Sequence, residues 1–101
     1  MALAITLNEP EHRYEAHVDG ELAGFAVFRM RGDRIVFTHT EVDDRFEGQG
    51  VGSKLARHSL DDVRERGSLR VVPQCPFIRS WIEKHPDYAD LVSDEERSRT
   101  D

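Results

Sequence analysis

The stretch of this chain best suited to hold an anion is Glu47-Gly48-Gln49-Gly50-Val51-Gly52-Ser53. It sits between a strand-like run (residues 35–42) and a helix-like run (residues 51–66). Glycines on alternate positions leave backbone N–H groups uncovered by side chains. A helix start adds its own unpaired N–H groups and the positive end of the dipole. Together they suit a phosphate or pyrophosphate. Two further places carry reactive side chains. His39 and Glu41 stand two residues apart just before the loop, and either could act as a general base. Cys75 precedes Pro76 at the expected start of a second helix, a position that favours the thiolate form of a cysteine. A thiolate there can accept an acyl group, and a neutral thiol can protonate a leaving group.

The elements that must position these groups fall into two halves. The first half reads as antiparallel strands over residues 4–7, 13–18, 22–30 and 35–42. Asn8-Glu9-Pro10, the hairpin signal Asp19-Gly20, and Gly32-Asp33 separate them. By the period of two, Ile35, Phe37, His39 and Glu41 share one face of the last strand. Arg31-Gly32-Asp33 is a turn rather than an adhesion motif. The second half changes period. Val51, Leu55, Ala56, Leu60 and Val63 mark one helix face, Arg64 and Arg66 occupy its last turn, and Gly67 stops it. Residues 69–72 form a short buried strand parallel to the preceding one, which completes a βαβ unit. Pro76 then opens a second helix with Phe77, Ile78, Trp81, Ile82 and His85 on one side, ended by Pro86. Residues 1–92 thus read as one domain, and residues 93–101, without an apolar side chain, as a disordered acidic tail.

A chain of 101 residues with 38% hydrophobic and 34% charged residues is a single small globular domain. A net charge of −6 disfavours nucleic acid and anionic lipid, and favours a cationic partner such as a polyamine, another small amine or a basic, lysine-rich peptide or protein. No apolar run approaches the roughly 20 residues that span a membrane. One cysteine and no signal-peptide pattern point to the cytoplasm. His12, His17, His58 and His85 lack metal-ligand spacing with each other or with Cys75, so no metal is expected. Asp43-Asp44 and Asp61-Asp62 read as solvated charge. Trp81, Ile78 and Ile82 read as core, with Phe77 and Trp81 placed to border a cleft. Plain core roles also fit His39, which alternates with Ile35 and Phe37, and Cys75, a small residue often buried.

Three glycine-loop families compete for the phosphate site. The nucleotide P-loop needs Gly-Lys-Ser/Thr, whereas this chain has Gly52-Ser53-Lys54. The dinucleotide fingerprint normally follows the first strand of a long βαβ series, and only one such unit is present here. The third is an acyl-CoA loop of the form Arg/Gln, two residues, Gly, one residue, Gly/Ala. Gly48, Gly50 and Gly52 match its glycines with Glu47 replacing the first residue, and Arg45 to Gly50 matches it in a second register.

Four ordered motifs sharpen the third reading: His39-Thr40-Glu41-Val42, Gly48 to Leu55, Val72-Pro73-Gln74-Cys75-Pro76-Phe77, and His85-Pro86-Asp87-Tyr88. Together they resemble the small YjdJ-like branch of the GNAT N-acetyltransferase superfamily. The resemblance implies an α+β, reduced GNAT fold: a mixed, mostly antiparallel sheet with two flanking helices. It implies acetyl-CoA as ligand, with the pyrophosphate on Gly48, Gln49, Gly50, Val51, Gly52 and Ser53, and the pantetheine arm along the strand ending at Val42, near Cys75 and Phe77. It also implies that His39 and Cys75 act near the acetyl end; Glu41, by its place beside His39, stays a second candidate base. The expected function is acetyl transfer to an amine. The alternative is a CoA-binding module with little or no catalysis, because the long first helical region that shapes the acceptor site in larger relatives is missing.

Overall fold

The computed structural model describes residues 2–93. The strands are β1 (Leu3–Asn8), β2 (Arg13–Val18), β3 (Glu21–Arg31), β4 (Arg34–Val42) and β5 (Arg70–Pro73). The helices are α1 (Val51–Arg66) and α2 (Pro76–Lys84), with 3-10 turns at Asp44–Phe46 and Pro86–Leu91. The sheet order is β1-β2-β3-β4-β5, with antiparallel pairing up to β4 and parallel pairing of β4 with β5. This is the mixed α+β architecture expected.

Each boundary has a local cause. α1 begins after Gly50, whose φ of 75° is a left-handed conformation, and ends at Gly67. α2 follows Cys75 as N-cap and carries Pro76 in its first turn. Both helices lie on one face of the sheet. A single apolar cluster joins Leu55, Leu60 and Val63 of α1 and Ile78, Trp81 and Ile82 of α2 to Tyr14, Ala16, Ala26, Phe28, Ile35 and Phe37 of the strands. Beyond α2 the chain returns to β5, where Val92 bridges Val71 in parallel and the Ser93 amide donates to the Val71 carbonyl at 2.8 Å. Ser93, read with the tail from sequence, is therefore buried against β5; the rest of the expected tail lies outside the described residues.

The expectation that His39 and Glu41 share a face with Ile35 and Phe37 is corrected by a β-bulge. Val27 pairs with His39 but Phe28 pairs with Phe37, so Thr38 is the extra residue. One extra residue inverts the inside–outside alternation downstream of it. Ile35 and Phe37 enter the core, and beyond the bulge Thr40 and Val42 turn to the helix side while His39 and Glu41 face away. The burial sequence follows: Ile35 and Phe37 are buried, His39 and Glu41 exposed. The face opposite the helices carries Arg13, Glu15 and His17 of β2, Phe25, Val27 and Arg29 of β3, and His39 and Glu41 of β4. No helix packs on it among the described residues.

Candidate active site

The glycine loop runs from the 3-10 turn into α1. Gly48 (φ 82°) and Gly50 (φ 75°) are both left-handed, and a Cβ on either would meet nothing within 4 Å, so the backbone there is open to a ligand. The first helical hydrogen bond at this end runs from Lys54 N to the Gly50 carbonyl at 3.0 Å. The amides of Val51, Gly52 and Ser53 precede it and have no intrahelical acceptor. No side chain caps Gly50 and no acidic residue lies in the first turn, so the positive end of the helix is uncompensated. These donors fit a pyrophosphate. Ser53 Oγ accepts from Trp81 Nε1 at 2.9 Å, which ties the loop to α2 and leaves the hydroxyl proton to donate outward.

The cofactor candidates beyond the loop converge on it. A Cβ on Gly52 would stand 2.9 Å from Phe77 Cζ and 3.5 Å from Val42 Cγ2, so α1 starts tight against both residues because position 52 has no side chain. Phe77 is 41% exposed.

Below this point the sheet opens. β5 pairs with β4 only from Arg34 to Phe37, and the Cys75 amide closes the pairing by donating to the Phe37 carbonyl at 2.8 Å. Among the described residues, no strand lies beside residues 38–42 of β4 on that side. Cys75 is 3% exposed, and its Sγ lies 3.2 Å from Thr40 Oγ1. Thr40 was missed by the sequence reading. Its signal was its alternation with Val42, which the bulge at Thr38 had masked. His39 is brought together with Glu41, Nε2 to Oε1 at 3.2 Å, and its ring centroid is 6.3 Å from that of Phe25. His39 and Cys75, expected as a pair, are not in contact. His39 projects from the helix-free face of β4, whereas Cys75, the N-cap of α2, lies against Thr40 on the helix side.

Charge around the loop is organised rather than diffuse. Asp43 accepts from the Arg45 amide at 2.9 Å and pairs with its guanidinium, and these bonds hold the Asp43 carboxyl below its ordinary range. Asp61 and Asp62, read from sequence as solvated charge, each accept a tyrosine hydroxyl instead. Tyr88 donates to Asp61 at 2.7 Å and Tyr14 to Asp62 at 2.6 Å. The bond to Asp61, followed by burial, raises the Tyr88 phenol. Burial, followed by the bond to Asp62, raises that of Tyr14. His85 of the fourth motif stacks on Trp81 at 3.8 Å, and Arg57 donates to the Tyr88 hydroxyl at 3.2 Å. That motif therefore joins α1 to α2 and holds the Trp81–Ser53 bond in place.

Comparison with known proteins bears on this geometry. A family model described as GCN5-related N-acetyl-transferase matches residues 13–91. Protein NATD1 of Bos taurus is 39% identical over 61 residues, covering 59% of this chain and 53% of that protein. Streptothricin acetyltransferase of Streptomyces lavendulae is 40% identical over 52 residues, covering 50% of this chain and 28% of that protein. The solution structure of a GCN5-like protein from Staphylococcus aureus superposes with a TM-score of 0.69 at 27% identity, covering 90% of this chain and 88% of that one. The chain spans about half the length of the NATD1 relatives it matches.

Proposed function

The chain belongs to the GCN5-related N-acetyltransferase family, and on that premise we propose that it is an acetyl-CoA-dependent N-acetyltransferase acting on an amine, either a small molecule or a basic peptide or protein. The observation that carries the reading is the uncapped start of α1 at Gly50, opposite the edge of β4 that β5 leaves open from Thr38 to Val42. The loop amides from Gly48 to Ser53 hold the diphosphate. Val42, Phe77 and the free edge of β4 lead the thioester toward Cys75. Acetyl-CoA supplies the activated acetyl group.

The chain's own groups divide the proton work between the two faces of β4. With Nε2–H donated to Glu41, His39 keeps Nδ1 as the acceptor for a proton from an amine arriving over the helix-free face. On the helix side, Cys75 Sγ–H is the donor for a departing thiolate, with the Thr40 hydroxyl beside it. The match to a GCN5-related N-acetyl-transferase family supports an amine acceptor. A binding module with weak or no catalysis is favoured by one observation, the separation of His39 from Cys75. A cytoplasmic setting accords with the free, buried thiol.

The test is calorimetric titration with acetyl-CoA, CoA, ATP and NAD, followed by turnover on an amine panel and intact mass. The reading expects selective binding of the CoA species and transfer that falls on His39→Gln and on Cys75→Ala. A stable acetyl adduct absent from Cys75→Ala would replace the acid role of Cys75 with a nucleophilic one. Binding without transfer to any amine would leave the module reading, and ATP or NAD binding in place of CoA would overturn both.

A further inference from the structure

β1 closes one side of the sheet, the side away from β5. Its register with β2 runs without a shift from Leu3 opposite Val18 to Asn8 opposite Arg13. Just before it, the Asp19 amide donates to the Ala2 carbonyl at 2.8 Å. In an antiparallel pair, successive residues turn their backbone groups alternately to the partner and away from it. Ala4, Thr6 and Asn8 therefore bond to β2, as Ala2 does. The N–H and C=O groups of Leu3, Ile5 and Leu7 point outward, and among the described residues no backbone group pairs with them. Proteins ordinarily blunt such an edge with a charge, a proline or a bulge. The stretch Leu3-Ala4-Ile5-Thr6-Leu7-Asn8 has none of the three.

The helix side of this edge carries charge of one sign. Leu3, Ile5 and Leu7 are half-buried there against the core. Beside them runs one flank of α1, where His58, Asp61, Asp62 and Glu65 follow one another at helical spacing. With Ile5 and Leu7 they line a hollow of about 200 Å³ along the strand. Asp62 is engaged by Tyr14 and Arg66, and Asp61 by Tyr88 through one oxygen. Glu65 is exposed and takes part in no ion pair among the described residues. Three carboxylates beside one guanidinium leave the flank anionic.

We infer that the β1 edge takes a basic, extended peptide segment of a protein partner as an added strand. The three outward N–H groups and three outward C=O groups supply the pairing, which any sequence could use. The flank of α1 supplies the choice. Every second side chain of the added strand falls on the helix side. A lysine or arginine there lays its methylene stem along Ile5 and Leu7 and carries its charge to Glu65 and Asp61. A second copy of this chain is disfavoured as the occupant, because pairing β1 with β1 about a two-fold axis brings two identical acidic flanks to the same seam. The edge lies across the sheet from the open stretch of β4, so the inference stands whether or not the proposed reaction is right.

The test is fluorescence anisotropy with a labelled peptide of about eight alternating Lys and Val residues, at low and near-physiological salt. The same peptide with its backbone nitrogens methylated keeps the charge and loses the pairing donors. The proteins are the full chain, Glu65→Lys and Ile5→Pro. Proline at position 5 removes an outward N–H and leaves the bonds to β2 in place. The expected binding weakens with salt, falls about fivefold in Glu65→Lys and is lost with the methylated peptide. In Ile5→Pro it falls at least about tenfold. Glu65→Lys and the methylated peptide decide the matter alone if Ile5→Pro does not fold. Hydrogen exchange followed by NMR is expected to show new protection at the Leu3, Ile5 and Leu7 amides when the peptide binds. No binding, equal binding of the methylated peptide, or no added protection at those three amides would each overturn the inference. So would a chain that sediments as a dimer and becomes monomeric in Ile5→Pro, since a second copy would then be the occupant. None of these readouts needs acetyl-CoA, so failure here is distinct from failure of the proposed function.

Discussion

Gly24→Ala probes the strand pair that carries the proposed cofactor edge. Gly24 is buried on β3 opposite Val42. A Cβ there would lie 2.7 Å from the Glu41 carbonyl oxygen and 3.3 Å from both Val42 Cα and Val42 Cγ2. The closest atoms belong to backbone, so relief requires β3 and β4 to separate rather than a side chain to turn. Overpacking of this kind costs about 1–3 kcal/mol. Alanine returns about 0.4–1 kcal/mol by restricting the unfolded chain. The net loss is about 1–2 kcal/mol, or about 4–16 °C in Tm for a domain of this size. Calorimetric melts measure it, and titration with acetyl-CoA in the same samples reports the shift of Val42 as weaker binding. Gly52→Ala is the internal control. Its nearest obstacle is the tip of the exposed Phe77 ring at 2.9 Å, which can swing aside. That variant keeps its Tm within about 0.5 kcal/mol equivalent while losing cofactor affinity. A Gly24→Ala protein that melts with the parent would show that β3 and β4 are not held at the closeness from which the cost was worked.

Thr40→Val removes the hydroxyl beside Cys75; on the proposed mechanism kcat falls about tenfold with acetyl-CoA affinity unchanged, and Thr40→Ser restores it, as steady-state kinetics would show. Tyr14→Phe deletes the 2.6 Å bond to Asp62 and lowers stability by about 1.5 kcal/mol in denaturant titration. Trp81→Phe breaks the bond to Ser53 and loosens α1 from α2, costing about 1 kcal/mol and raising hydrogen exchange at the start of α1. The Asn8 side-chain amide and then Arg13 hold the Glu15 carboxyl below its ordinary pKa of 4.5. Because the folded value is the lower one, this contribution is present above the ordinary value and is lost as pH falls below it. Melting curves from pH 7 downward show that loss, and Glu15→Gln flattens it.

Much of the fold was legible because short-range chemistry writes it. Asp19-Gly20 and Gly32-Asp33 mark hairpins through backbone freedom, Gly67 ends α1, and Pro76 opens α2, and all four lie where expected. The glycine loop was readable for the same reason, since its conformation is local. The missed residue and the mispaired one share a single cause. Thr38 sits in a strand with nothing in its own composition to mark a bulge. The extra residue arises from how β3 and β4 settle together, with Val27 opposite His39 and Phe28 opposite Phe37. That slip turned His39 away from the core and turned Thr40 toward Cys75. The aspartates at 61 and 62 were misread on the same ground: a helical surface position looks solvated until a tyrosine from a distant element reaches it.

By itself, then, the sequence determined the strands, the two helices and the glycine turn between β4 and α1, because hydrophobic period, turn residues and helix ends act over a few positions. Only the tertiary structure decided which side chains meet: Thr40 with Cys75, His39 with Glu41, and Ser53 with Trp81. Those meetings depend on register and close approach between segments far apart in the chain, which no local pattern encodes.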